Sequence, residues 1–367
     1  MKHPGKLSGR IVLFFSPLLF WLGTSVPASA HGGEDLTDAT ALGAWNLTPG
    51  IVIMTILTLA VYLRGAMRRQ LVTHPPSVWR HILFLAGVSL IFLALQSPID
   101  PIAEHLFSVH QVQHLLIRMT GPMLLALASP ESILIAGLPH GVRRHVLKPV
   151  LQNTALRRIF SAFYRPAPAF MLFVAALYVW QVPAIHNVAV LDPAIHYVMH
   201  VTMLLAGLLF WWMIFDRRDP PAAPDRRRRA YFLVLSIVST ILLGALTTLK
   251  ETVLYTAYDI QGRLFGVTPM ADEIIGGYTI WVPSSMMSII AILIVLHEWS
   301  KQEERRFSRR HFWMSSNSAA LEFPETAAEL RIKVRAPNRA TGLALAATSL
   351  SMFVIAFSTI VVISVLH

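Results

Sequence analysis

Along this chain, long apolar runs alternate with short polar loops. Seven runs follow in close succession: Trp45 to Leu63, His81 to Gln96, Val109 to Ala128, Ala167 to Val182, Ile195 to Phe215, Tyr231 to Leu249 and Ile274 to Leu296. An eighth, Thr341 to Leu366, stands apart. A bilayer core of about 30 Å is crossed by about 20 apolar residues in a helix, so the pattern predicts an all-α transmembrane bundle with seven core spans and one C-terminal span. Pro and Gly within or near these runs (Gly121, Pro122, Pro183, Gly276, Gly277, Pro283) are tolerable where neighbouring helices satisfy the freed backbone groups. Before the first run, Lys2, Lys6 and Arg10 precede the apolar stretch Ile11 to Gly23 and "VPASA" ending at Ala30. This is a signal-peptide pattern, or an uncleaved leader span.

The predicted organisation is therefore a leader (1–30), an exterior tail (31–44), a seven-helix membrane domain (45–297), a polar segment (298–340) and a last transmembrane helix (341–367). Loop charges set the orientation, because short loops rich in Lys and Arg stay in the cytoplasm. Every second loop is basic: Arg64, Arg68, Arg69 and Arg80; then Arg143, Arg144, Lys148, Arg157, Arg158 and Arg165; then "DRRDPPAAPDRRRR" from Asp216 to Arg229. The intervening loops carry acids, among them Asp38, Asp100, Glu104, Asp192, Asp259, Asp272 and Glu273. The reading is a multi-pass protein of the bacterial cytoplasmic membrane, with its N-terminal tail and C-terminus outside and the 298–340 segment inside.

Composition narrows the chemistry. The chain is 54% hydrophobic and 14% charged, as suits a protein whose solvent is lipid. A formal charge of +11 is spread over loops between apolar runs and reads as a topology signal; it gives no reason to expect nucleic acid as a partner. With no cysteine, disulfides, thiolate zinc sites and iron–sulfur clusters are excluded, and any metal must be held by His, Met, carboxylate or backbone oxygen. No phosphate-binding loop, dinucleotide fingerprint or nucleophile elbow occurs.

Against that background, "HLFSVHQVQHLLIR" (His105 to Arg118) is anomalous. At about 100° and 1.5 Å per residue, His110, His114 and Arg118 share one helix face, with His105 off it. The fifth span repeats the device in "AIHYVMH", placing His196 and His200 four residues apart. Both pairs lie at the exterior end of their spans. An i,i+4 spacing turns two imidazoles toward one point, and two such pairs could supply four nitrogens, which suits copper or zinc. Met199 and Met203 lie beside the second pair and lean toward copper, thioethers being soft ligands. His31, the first residue after leader cleavage, could add a terminal-amine and imidazole chelate. Arg118, one turn deeper than His114, needs an acid partner; Asp272 is the preferred one, leaving Glu273 nearer the headgroups. The cytoplasmic histidines His74, His81, His140, His145, His297 and His311 form no matching pairs and read as loop residues.

Three segments in order, "SPIDPIAEHLFSVHQVQHLLIRMTGPMLLALASP", "HYVMHVTMLLAGLLFWWMIFDRRDP" and "PMADEIIGGYTIWVPSSMMSIIAIL", resemble the polytopic CtaG-type cytochrome c oxidase assembly factors. The resemblance covers about Trp45 to Trp299; the leader and the eighth span depart from it. It implies a non-catalytic protein that helps mature a haem–copper oxidase, handling copper for the catalytic subunit. The family's histidine pattern then falls on His110, His114, His196 and His200, and its acid on Asp272. A copper transporter and a metal-free scaffold for oxidase subunits are the alternatives. A haem protein using His from two helices as axial ligands is a further reading, testable by a Soret band.

Overall fold

The computed structural model describes residues 36–70, 77–218, 223–311 and 326–366. They form an all-helical membrane bundle, with no strand among the described residues. Five helices are long and apolar enough to cross a membrane, and the number rises to seven if each of two bent pairs is one span. In chain order the elements are α1 (Pro49–Gln70), α2 (Val78–Gln96), the short α3 (Ile99–His105), α4 (Phe107–Leu115), α5 (Gly121–Ala128) and α6 (Glu131–Gly137). Then follow α7 (Thr154–Phe163), α8 (Pro166–Gln181), the short α9 (Pro183–Leu191) and α10 (Pro193–Ile214). The last are α11 (Arg226–Thr248), the short α12 (Ala257–Gln261), α13 (Pro269–His311) and α14 (Ala327–Leu366).

Six of the seven core runs read from the sequence each fall mainly on one of these helices, and the third is spread over α4, α5 and the turn between them. The third span is built in pieces. Helix α4 passes through a π-helical turn, Leu116–Thr120, into α5; the span then bends by 75° into α6. Ser129 sits at the bend in a left-handed conformation (φ 45°) and Pro130 follows, so the helix cannot continue. Arg80 donates to the terminal carbonyls of Ala128 and Ser129 at 2.9 and 3.0 Å, which compensates the helix end.

The polar segment is partly helical among the described residues. Helix α13 runs on through it to His311, and α14 begins at Ala327, before the eighth apolar run. Arg331 pairs with Glu304 at 2.9 Å, tying the two helices near the start of α14. The leader, His31 and His74 lie outside the described residues.

Two close approaches position the interior. A Cβ at Gly207 on α10 would collide with the carbonyl of Arg118 in the π turn, and a Cβ at Gly276 on α13 would collide with the Phe107 ring on α4. The absence of side chains at these two points lets α10 and α13 close on the third span. Phe107, Leu177, Met199, Met203, Tyr255 and Tyr258 form one apolar cluster at the acidic-loop end, and a second cluster around Phe173, Phe210 and Trp211 fills the basic-loop end.

Candidate metal centre

Local sequence explains why the histidine-bearing helices start where they do. Asp192 caps α10, its Oδ1 accepting from the backbone N–H groups of Ala194 (2.8 Å) and Ile195 (3.1 Å), with Pro193 in the first turn. His196 and His200 therefore occupy the first two turns. Helix α4 has Leu106 at its N-cap, with no side-chain acceptor of its own. Asp272 of α13 supplies the cap instead, accepting from Phe107 N–H at 2.8 Å and Ser108 N–H at 2.9 Å.

These starts place the two pairs at the same level. Ring centroids are 4.3 Å apart for His110–His114 and 4.4 Å for His196–His200; across the helices they are 5.1 Å for His110–His196, 5.9 Å for His110–His200 and 5.5 Å for His114–His200. All four side chains are buried. His110, His196 and His200 each offer a ring nitrogen, and these atoms lie within 4.8 Å of one another. Tetrahedral ligands on bonds of about 2.0 Å stand about 3.3 Å apart, so the rings reach coordination by closing about 1.5 Å. His114 stacks against the edge of the same group.

The decisive feature is what these nitrogens lack. His110 Nε2, His196 Nε2, His200 Nε2 and both ring nitrogens of His114 are buried without a hydrogen-bond partner. An unmet buried polar group costs about 1–3 kcal/mol, and interiors seldom keep several together. The donor set fits a metal ion that accepts imidazole nitrogen.

Sequence reasoning missed a fifth histidine. His186, on α9, is fully buried with its ring centroid 5.2 Å from that of His110. Its Nδ1 donates to the Trp180 carbonyl at 2.8 Å, and its Nε2 meets the Tyr258 hydroxyl, also at 2.8 Å. The same hydroxyl meets His110 Nδ1 at 2.6 Å. Burial pushes the His186 imidazole down to about 4 and the Tyr258 phenol well above its ordinary range, so the one is neutral and the other keeps its proton. His186 has no histidine four residues away, hence no spacing signal; only its shared exterior depth marked it.

The pairing of Arg118 with Asp272 is overturned. Asp272 pairs with Arg263, which also binds Asp259 at 2.8 Å. Arg118 lies 4.1 Å from the Phe173 ring centroid and donates to the Phe173 carbonyl at 3.3 Å. The reason is depth: Asp272 caps the helix at Phe107, and Arg118 stands eleven residues further along, about 16 Å at 1.5 Å per residue. Glu273, the next residue, is engaged elsewhere. It is fully buried, pairs with Lys250 and accepts from Tyr255 N–H at 2.8 Å, which anchors the loop that carries Tyr258.

The other named residues divide simply. Met199 and Met203 are fully buried in the apolar cluster with Phe107 and Tyr258. His105 binds the Gly262 carbonyl at 2.7 Å, away from the group. His81 is within α2, where it meets the Tyr62 hydroxyl at 3.0 Å, and His297 lies within α13; neither is a loop residue.

The sequence description Cytochrome c oxidase caa3 assembly factor (Caa3_CtaG) matches residues 60–302. The chain belongs to this family. That stretch contains all five clustered histidines, Tyr258 and Asp272. The chain is also similar to uncharacterised proteins of Mycobacterium bovis and Mycobacterium tuberculosis, each 27% identical over 305 residues, covering 80% of this chain and 45% of the relative. An uncharacterised protein of Mycobacterium leprae is 24% identical over 247 residues, covering 66% and 38%. The chain thus spans less than half the length of these curated relatives. No solved structure matches it.

Proposed function

We propose that this family member assists maturation of a haem–copper oxidase by binding copper among His110, His114, His196 and His200 and passing it to the oxidase's catalytic subunit. The observation that carries this reading is the set of five buried imidazole nitrogens, contributed by two helices, that have no partner within the protein. Copper is the cargo, and the protein's part is to hold and release it. Neutral imidazoles suit copper or zinc. No carboxylate joins the metal-competent group among the described residues, and the nearest fixed charge on the same helix is the Arg118 cation. An ion of low charge is penalised least in such surroundings, which favours Cu(I), as do the thioethers of Met199 and Met203 nearby in sequence.

The positive-inside rule places the site at the exterior end of the bundle, where metal arrives and where an oxidase's exterior copper centres would be filled. Below it stand the buried Arg118 cation and Ile117, a poor route for a cation; transport to the cytoplasm is the weaker reading. The test is copper analysis of purified protein beside the variant in which His114 and His200 are both alanine, with oxidase activity of host membranes measured in parallel. The expected result is bound copper in the parent, little in the variant and a matching fall in oxidase activity. Full oxidase activity with the variant would support a scaffold instead.

A further inference from the structure

Tyr258 is a residue that no sequence pattern marked, yet its hydroxyl is shared between two buried histidines, and the direction of every proton around it can be worked out from one carbonyl. The Trp180 carbonyl only accepts, so His186 Nδ1, 2.8 Å away, carries the proton. A neutral imidazole has one N–H, which leaves His186 Nε2 as an acceptor. It takes the Tyr258 O–H at 2.8 Å. The hydroxyl has then spent its only proton, and toward its other neighbour, His110 Nδ1 at 2.6 Å, it can act only as acceptor. His110 Nδ1 must donate, and His110 Nε2 is left with a bare lone pair. That atom is one of the partnerless nitrogens of the cluster.

A second proton on either ring would leave a buried charge, and the two acids at the start of α13 are already engaged, Asp272 with Arg263 and Glu273 with Lys250. The chain is rigidly mounted. Glu273 holds the backbone before Tyr258 through Tyr255 N–H, the Arg263 guanidinium lies over the Tyr258 ring at 5.6 Å, and Phe107 meets that ring edge-on with centroids 6.0 Å apart.

We propose that Tyr258 and His186 are positioning residues that fix His110 in its Nδ1–H tautomer and so present Nε2, already deprotonated and oriented, to the incoming metal. The proposal rests on the copper reading above. Outer partners that set a ligand's tautomer are worth about 10–100-fold in metal affinity. Without the Tyr258 hydroxyl, His110 is free to carry its proton on Nε2 and meet the metal with an N–H.

The test has two parts. In the metal-free, full-length protein labelled with nitrogen-15 histidine, ring-nitrogen NMR reads the tautomer directly. His110 is identified as the imidazole whose ring protons contact those of both His114 and His186. The expected spectrum has Nδ1 protonated and Nε2 bare, and needs no variant that must fold. In parallel, Cu(I) affinity is measured by competition with a chelator for the parent and Tyr258→Phe, which keeps the ring and removes only the hydroxyl. The variant is expected to bind about 10–100-fold more weakly, with an unchanged helical circular-dichroism spectrum and a His110 no longer held in one tautomer. A parent protein that binds no copper overturns the cargo reading beneath the proposal. A His110 protonated at Nε2, or a folded Tyr258→Phe with parental affinity, overturns the proposal itself.

Discussion

His114 is buried with neither ring nitrogen partnered, so in the metal-free protein its polarity is a cost. Replacing it with Leu removes that cost at similar volume. His114→Leu is expected to raise the thermal midpoint of the metal-free protein, by an amount equivalent to about 1–3 kcal/mol, and to lose most of the further rise that copper gives the parent through preferential binding to the folded state. Thermal unfolding with and without Cu(I) measures both. A variant that unfolds earlier without metal and still gains the full rise with it would mean that His114 is a packing residue. At this scale the sequence was informative where chemistry is repeated locally. The i,i+4 pairs on two spans were legible because a helix converts a spacing of four into a shared face. His186 and Tyr258 were not, since their partnership spans 72 residues and leaves no period. The Arg118 partner was misjudged because a helical wheel gives the face and ignores depth.

The helices owe their placement to a few backbone contacts more than to the length of their apolar runs. Hydropathy located helices of which five are long and apolar enough to cross a membrane, or up to seven if each bent pair is one span, but it did not foresee the π turn Leu116–Thr120 or the bend at Ser129. A π turn adds a residue to the winding, which turns the residues below it relative to His110 and His114. Arg118 then faces Phe173 on α8. At the same turn α10 packs against the Arg118 backbone through Gly207. Gly207→Val is expected to push α10 off the third span, with a loss of about 1–3 kcal/mol from overpacking and a larger loss in copper stoichiometry, because His196 and His200 move with the helix. Copper content and thermal midpoint of the same preparation decide between this and a tolerant interface: a variant with parental values in both would show that the contact does not set the spacing of the histidines.

Across the molecule, the two membrane ends are used differently. The basic-loop end is sealed by aromatic packing around Trp211 and by Arg80 capping a broken helix. The acidic-loop end holds buried ion pairs, five histidines and the loop from Lys250 to Thr268 that closes over them. Burial there, beside Asp100, pushes the Glu104 carboxyl on α3 up to about 8, so this acid favours its neutral form near pH 7. The all-helical membrane class was legible because bilayer thickness constrains the whole chain at once; the contacts of the loop that carries Tyr258 were not, because loop contacts obey no period. The central claim is that imidazoles from two spans share one copper ion. X-ray absorption at the copper edge of the loaded protein tests it most directly. The account predicts nitrogen neighbours at about 2.0 Å with the outer-shell scattering of several imidazole rings, lost in the variant lacking His110, His114, His196 and His200. Copper bound without imidazole scattering, or a spectrum unaltered by removing those four residues, would contradict it.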